Sequence, residues 1–289
     1  MDFIWGFLES SLRMASPLCF GALGALMSER SGVMNIAIEG MMLCGAFTAA
    51  VVAYYSGSAS LGFLLGGVMT ALFALIYAIC VLFLRADQII AGVAINLLAG
   101  GMAPFLSKIL FGSSQTTPTL SLEARFSSEG TFAVFIGALF ITYWLYKTPS
   151  GLWLQFAGDH PKSLDAAGIS TNRVRFWAVA ASGFLAGLGG GVLSLQLSSS
   201  FTQDMTAGRG FMALAALIMG RWCPLPTVLA CLFFGALEAL QIRLQGVSLF
   251  GGGVVPVQFI QILPYVATIL VLVWGRRLAP ASAQGPLTH

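Results

Sequence analysis

Residues 40–84 read GMMLCGAFTAAVVAYYSGSASLGFLLGGVMTALFALIYAICVLFL, from Gly40 to Leu84, without one Asp, Glu, Lys or Arg. A helix needs about 20 apolar residues to cross the hydrocarbon layer of a bilayer. This run of 45 residues is too long for one crossing and suits two, broken at Tyr55-Ser56-Gly57-Ser58. Similar runs continue outward on both sides: Met14–Ser28, Gln88–Ser107, Thr131–Tyr146, Phe176–Leu197, Phe211–Met219, Pro226–Leu240 and Val257–Trp274. The Phe211 run is short enough for a half-helix. None alternates as barrel strands do. The pattern predicts an all-α polytopic membrane protein: one transmembrane domain over residues 1–289 with eight to nine membrane segments.

Composition agrees. Of 289 residues, 57% are hydrophobic and 9% charged, where a soluble domain carries roughly 25% charged residues. Mean hydropathy is +0.88. The formal charge is only +3, which excludes a clustered basic footprint for nucleic acid and the high charge of a disordered chain. Cys19, Cys44, Cys80, Cys223 and Cys231 lie in apolar stretches without CxxC spacing, so they read as small packing residues. His160 and His289 have no metal-ligand neighbours in sequence, and no metal site is expected. Met1–Ser10 carries acids but no Lys or Arg, so the first run is expected to stay as a span rather than act as a cleaved leader.

Lys and Arg in short loops set orientation. Alternating spans put Arg30, Arg85, Lys147, Lys162, Arg173, Arg175, Arg221, Arg276 and Arg277 on one face, taken as cytoplasmic. Lys108, Arg125, Arg209 and Arg243 fall near the other, and Gly112–Gly130 becomes an external loop. The N-terminus is then outside and the C-terminus inside. Glu29-Arg30-Ser31-Gly32 has a second reading, a break within the bilayer.

The longest cytoplasmic connection covers about 148–175. Asp159 can cap a short helix that has Pro161 in its first turn, Ala166 and Ala167 favour helix, and Gly168 stops it. Within the spans, Asn35 and Glu39 are four apart and share a helix face. An ionisable group at depth is a functional candidate. Glu39 either meets a hydroxylated solute, or pairs with an Arg such as Arg30, or satisfies a broken helix end. Asn96 lies between Gly92 and Gly100 on a small-residue face, available to a solute or to a neighbouring helix. Gly183, Gly187 and Gly191 read as a packing seam, as does Gly189-Gly190-Gly191. Arg209 and Arg221 bracket the Phe211 run and are expected at opposite faces by snorkelling. Glu238 and Arg243 suggest a local ion pair.

The segment Gly158-Asp159-His160-Pro161-Lys162 followed by Asp165-Ala166-Ala167-Gly168-Ile169 resembles the coupling loop of bacterial ABC-importer permeases of the ribose/branched-chain amino-acid type, nucleoside and simple-sugar branch. Glu29–Ile36 with Glu39-Gly40-Met41-Met42, Ala86–Gln88 through Asn96-Leu97-Leu98, Gly208-Arg209-Gly210-Phe211 to Gly220-Arg221-Trp222, and Pro256–Leu272 match the same branch in order. His160, Ser163 and Leu164 depart from it. The resemblance implies a multi-pass permease in the bacterial cytoplasmic membrane with no ATPase activity or cofactor of its own. Gly158, Asp159, Pro161, Asp165, Ala166, Ala167 and Gly168 would couple it to a cytoplasmic ATPase, expected as a twin-cassette chain that binds ATP. A second permease subunit and an extracytoplasmic solute-binding protein complete the expected assembly, with membrane lipid around it. Asn35, Glu39 and Asn96 are candidates for the translocation path. Monosaccharides or branched-chain amino acids are the alternative solutes. The sequence is consistent with this on the negative side, since no G-x-x-x-x-G-K-[ST] phosphate loop occurs. A secondary transporter would place ion-coupling acids in several spans, and only Glu39 is expected at depth. No Ser/His, Asp/Asp or His/Glu set for an intramembrane enzyme appears within the runs.

Overall fold

The break expected at Tyr55–Ser58 forms where the residues demand it. Helix α2 (Ile38–Ser56) stops at Gly57, which is left-handed, and Ser58 caps α3 (Ala59–Ala78) by accepting the Leu61 N–H. A π-turn at Ile79–Phe83 extends α3. The computed structural model describes residues 2–126, 129–244, 248–249 and 253–254, with Ile262, Val266 and Ile269. The expected span Val257–Trp274 otherwise lies outside the described residues.

The other helices are α1 (Asp2–Arg30), α4 (Gln88–Phe111), α5 (Glu129–Lys147), α6 (Pro149–Asp159), α7 (Pro161–Ala166), α8 (Thr171–Val192), α9 (Arg209–Met219) and α10 (Pro224–Leu244). A π-turn at Leu193–Leu197 extends α8. The structure is nearly all helical. Its strand pairing among the described residues amounts to a two-residue ladder, Ser248-Leu249 with Gly253-Val254, and one bridge, Thr116 with Thr202. Among the described residues, five helices are long and apolar enough to span a bilayer, and six if α5 and α6, bent by 75°, form one span.

Helix α8 is the axis of the bundle, and its glycines explain how. Successive helical residues point about 100° apart, so three glycines in a row open three faces. A Cβ on Gly189 would press on Pro17 and Phe20 of α1, one on Gly190 on Met42 of α2, and one on Gly191 on Phe63 of α3. The same seam lets Gly183 and Gly187 approach Thr70 of α3. Helix α1 runs antiparallel to α8, with Gly189 against Pro17 and Gly24 against Ser182. The five cysteines are free and lie buried or half-buried in this packing.

Candidate functional site

The chain leaves helix at Arg30 and does not resume it until Ile38. Residues 31–37 turn back beside α1 instead of forming a loop at its end. Gly32 makes the turn at φ +90°, and Ser28 accepts the Val33 N–H while donating its hydroxyl to Val33 O. Exposed to lipid, such backbone would be untenable, because every unpaired group costs free energy. Here side chains from other helices take it up. Gln88 Oε1 accepts the Met34 N–H at 2.6 Å and Tyr77 donates to Met34 O. Asn96 donates to Ile36 O at 3.0 Å and accepts the Gly40 N–H at 2.8 Å. Asn35 accepts the Ala37 N–H and donates to Ser182 Oγ at 3.0 Å. Ser182 lies about 16 Å along α8 from its start at 1.5 Å per residue, so α2 begins inside the bundle. The second reading of Glu29–Gly32, a break rather than a loop, is the one the structure has.

One geometric expectation needs correcting: Asn35 precedes α2, so it does not share a helix face with Glu39. Of the readings of Glu39, the structure has the one in which it satisfies a helix end; it sits in the first turn of α2. Its carboxylate caps another helix. Oε1 accepts the Gly208 N–H at 2.8 Å and Oε2 the Gly210 N–H at 2.6 Å, where α9 begins. Residues before α9 come in from the opposite end of the bundle, where Gln203 and Phe201 bond to Gln115 and Thr117 of the 112–128 segment. Two helices thus start at depth with their N-termini together. Each N-terminus carries about half a positive charge, and one carboxylate compensates both. A Cβ on Gly210 would fall 2.6 Å from the Glu39 backbone, so glycine alone allows this approach.

Beside this junction stands an ion pair. Arg209 Nε lies 3.5 Å from Glu238 Oε1. The contact is Coulombic and does not meet hydrogen-bond geometry, and Arg209 Nε and Glu238 Oε2 have no hydrogen-bond partner. This corrects two expectations. Glu238 pairs with Arg209, while the Arg243 guanidinium lies over the Phe7 ring. Arg209 does not mark a membrane face, because its helix, at 11 residues, covers about 16 Å, half a bilayer core.

The third feature is the elbow between α5 and α8. Thr148 and Pro149 bend the chain into α6, and Pro161 starts α7. Asp159 is the last residue of α6; the cap position of α7 falls on His160, whose side chain makes no capping bond. The C-terminus is as expected. Gly168 at φ +82° donates to Asp165 O, and Ile169 donates to Leu164 O, the paired bonds of a Schellman motif. Asp165 then accepts the Thr171 N–H at 2.9 Å, and Thr171 donates to Pro161 O. The elbow is closed on itself. Only Leu164 of α7 is buried, and Lys162, Ser163, Asp165, Ala166, Ala167 and Gly168 are exposed.

Arg175 joins elbow and break. It is buried, donating from Nε to Ser31 O at 3.1 Å and from Nη2 to Ala157 O at 3.1 Å. Gly32 and Gly158 meet beneath it, and a Cβ on Gly32 would lie 3.3 Å from both Gly158 Cα and Arg175 Nη2, a tight contact. Nearby, Arg30 donates to Gln155 Oε1, and Trp222 Nε1 donates to Glu29 at 2.6 Å. Sequence reasoning counted Arg175 among the loop cations. The signal that it is buried was its place on one α8 stripe with Val179 and Ser182, both core positions. Tyr77 and Trp222 carried no such signal.

Apolar helices interrupted at depth, with each interruption caught by polar side chains, define a polytopic membrane protein of the discontinuous-helix type that transport proteins use. The chain belongs to the family described as branched-chain amino acid transport system / permease component, which matches residues 7–272. It is 37% identical to the guanosine ABC transporter permease protein NupQ of Bacillus subtilis (strain 168), over 94% of this chain and 93% of that one. Identity to the nucleoside ABC transporter permease protein NupC of Lactococcus lactis subsp. cremoris (strain MG1363) is 34%, again over 94% and 93%. Identity to NupB, a nucleoside ABC transporter permease protein of the same strain, is 23%, over 80% of this chain and 71% of that one.

Proposed function

We propose that this chain is one membrane half of an ATP-driven nucleoside importer in a bacterial cytoplasmic membrane. The elbow carries the reading. Its outer face is exposed and needs nothing from the rest of the chain, while its inner face is fastened by Arg175 to the break before α2. A push on Ala166 and Ala167 therefore has a rigid route to a discontinuous helix. In this reading the elbow faces the cytosol and seats in a groove of an ATP-binding ATPase, expected as a twin-cassette chain. Gly158, Asp159, Pro161, Asp165, Ala166, Ala167 and Gly168 form that coupling unit. Asn35, Glu39 and Asn96 serve the translocation path as the side chains that hold its hinge.

Similarity to NupQ and NupC supports nucleosides as solutes. Similarity to both NupC and NupB of one strain supports a second, related permease as partner. An extracytoplasmic binding protein delivers the solute, and no cofactor binds this chain. The eight to nine segments are the apolar spans together with α1, the half-helix α9 and Val257–Trp274. Competition for labelled nucleoside uptake in cells carrying the complete system tests the solute: unlabelled nucleosides should displace the label. Displacement by pentoses or branched-chain amino acids alone rejects the assignment. Uptake that persists without any ATPase rejects the importer.

A further inference from the structure

Helix α6 has an apolar stripe that stays exposed among the described residues. Leu152, Trp153 and Phe156 fall at i, i+1 and i+4 and are 46%, 42% and 45% exposed. Their helix lies at 75° to α5, close to the plane a membrane would take around the bundle. A helix so placed, with its apolar side outward, belongs at the boundary between headgroups and acyl chains. Between α6 and α8 opens a groove of about 620 Å³. Trp144, Trp153 and Trp177 wall it, Met27 and Leu154 floor it, and Arg173 stands at its edge. Among the described residues no Asp or Glu lines it. Arg173 is exposed, and no hydrogen bond or ion pair occupies its guanidinium among the described residues. Trp177, which lines the groove, is itself 70% exposed.

We propose that this groove seats one anionic phospholipid from the leaflet on the elbow side, its acyl chain among the three tryptophans and its phosphate on Arg173. Three features select a lipid over a protein segment. Among the described residues the lining is mainly apolar, with Arg173 as its cation, which is the polarity of an anionic lipid. The opening lies on the interfacial helix. Trp153 and Trp177 line the groove and are exposed, and Trp concentrates at membrane interfaces. Gly168, Ile169 and Ser170, the turn that closes α7, form part of the wall. The bound lipid therefore supports the elbow from below. That consequence rests on the coupling role proposed above, whereas lipid binding itself does not.

Native mass spectrometry of the purified complete transporter in detergent tests the proposal. One phosphatidylglycerol per copy of this chain should survive delipidation, in preference to phosphatidylcholine. Arg173→Ala should lower its retention about fivefold, the worth of one basic residue at a membrane surface. Ala181→Trp, which places a ring in the groove from α8, should abolish retention with the melting temperature unchanged. Retention unaffected by either substitution overturns the proposal. So does cross-linking of a Trp153→Cys variant to the ATPase, because a protein would then cover the groove. Uptake that persists without the ATPase, with lipid retention intact, would count against the importer reading alone.

Discussion

The chain leaves regular helix in two places that do different work, the break at 31–37 and the elbow at 159–170. The break is buried, and its backbone groups are met by Tyr77, Gln88, Asn96 and Ser28 from three other helices. The elbow is exposed, and its backbone groups are met by its own residues through a Schellman turn and the Asp165 carboxylate. A segment satisfied from elsewhere moves only if its supports move. A segment satisfied from within can move as a body. The pair thus forms a hinge and a handle, with Arg175 bonded to Ser31 O in the hinge and to Ala157 O in α6, just before the handle.

The comparison breaks most severely at that link. Arg175→Ala leaves Ser31 O and Ala157 O without their charged donor in a buried site. Hydrogen bonds to charged groups contribute about 1.5–3 kcal/mol each, so the melting temperature of the purified protein should fall by an amount equivalent to about 3 kcal/mol or more, and uptake should be lost. A variant with wild-type melting and uptake would separate hinge from handle. Asn96→Leu tests the hinge alone. It strips one partner from the break, at Ile36 O, and one from the first turn of α2, at the Gly40 N–H; at about 1–3 kcal/mol for each buried group left unpaired, stability should fall by about 2 kcal/mol or more while the elbow remains closed to proteolysis.

Two glycines sharpen the contrast. Gly32 and Gly168 are both left-handed, at φ +90° and +82°, and alanine there costs about 1–2 kcal/mol in backbone strain. A Cβ on Gly32 also meets Arg175 and Gly158 at 3.3 Å, whereas one on Gly168 meets nothing within 4 Å. Gly32→Ala should therefore destabilise more than Gly168→Ala in parallel thermal melts; equal losses would mean that the packing under Arg175 has slack. The smallest expected effect on stability belongs to Ala166→Arg. An exposed substitution of this kind stays within about 0.5 kcal/mol, yet it should abolish solute-stimulated ATP hydrolysis in the reconstituted complex. Preserved stimulation would remove the elbow from the coupling path.

Asn35, Glu39 and Asn96 stood out in the sequence because polar side chains are costly among apolar ones. Their partners did not stand out. A carboxylate four residues after an asparagine reads as one helix face, and nothing local announces that the helix begins between them. The beginning is imposed by Gln88, Asn96 and Ser182, which are 53, 61 and 147 residues beyond Asn35. The Glu238 register failed similarly. Its nearest cation along the chain is Arg243, but the nearest in space, on the adjoining helix, is Arg209.

The sequence by itself determined the medium and the punctuation. Long uncharged runs admit only a lipid-embedded helical bundle, and Gly57, Ser58, Pro149, Pro161 and Gly168 end or begin helices through local backbone preferences. Only tertiary structure decided which polar residues face one another and where helices start without a local signal. Burial makes each unpaired backbone group expensive, and the groups that relieve that cost come from distant parts of the chain.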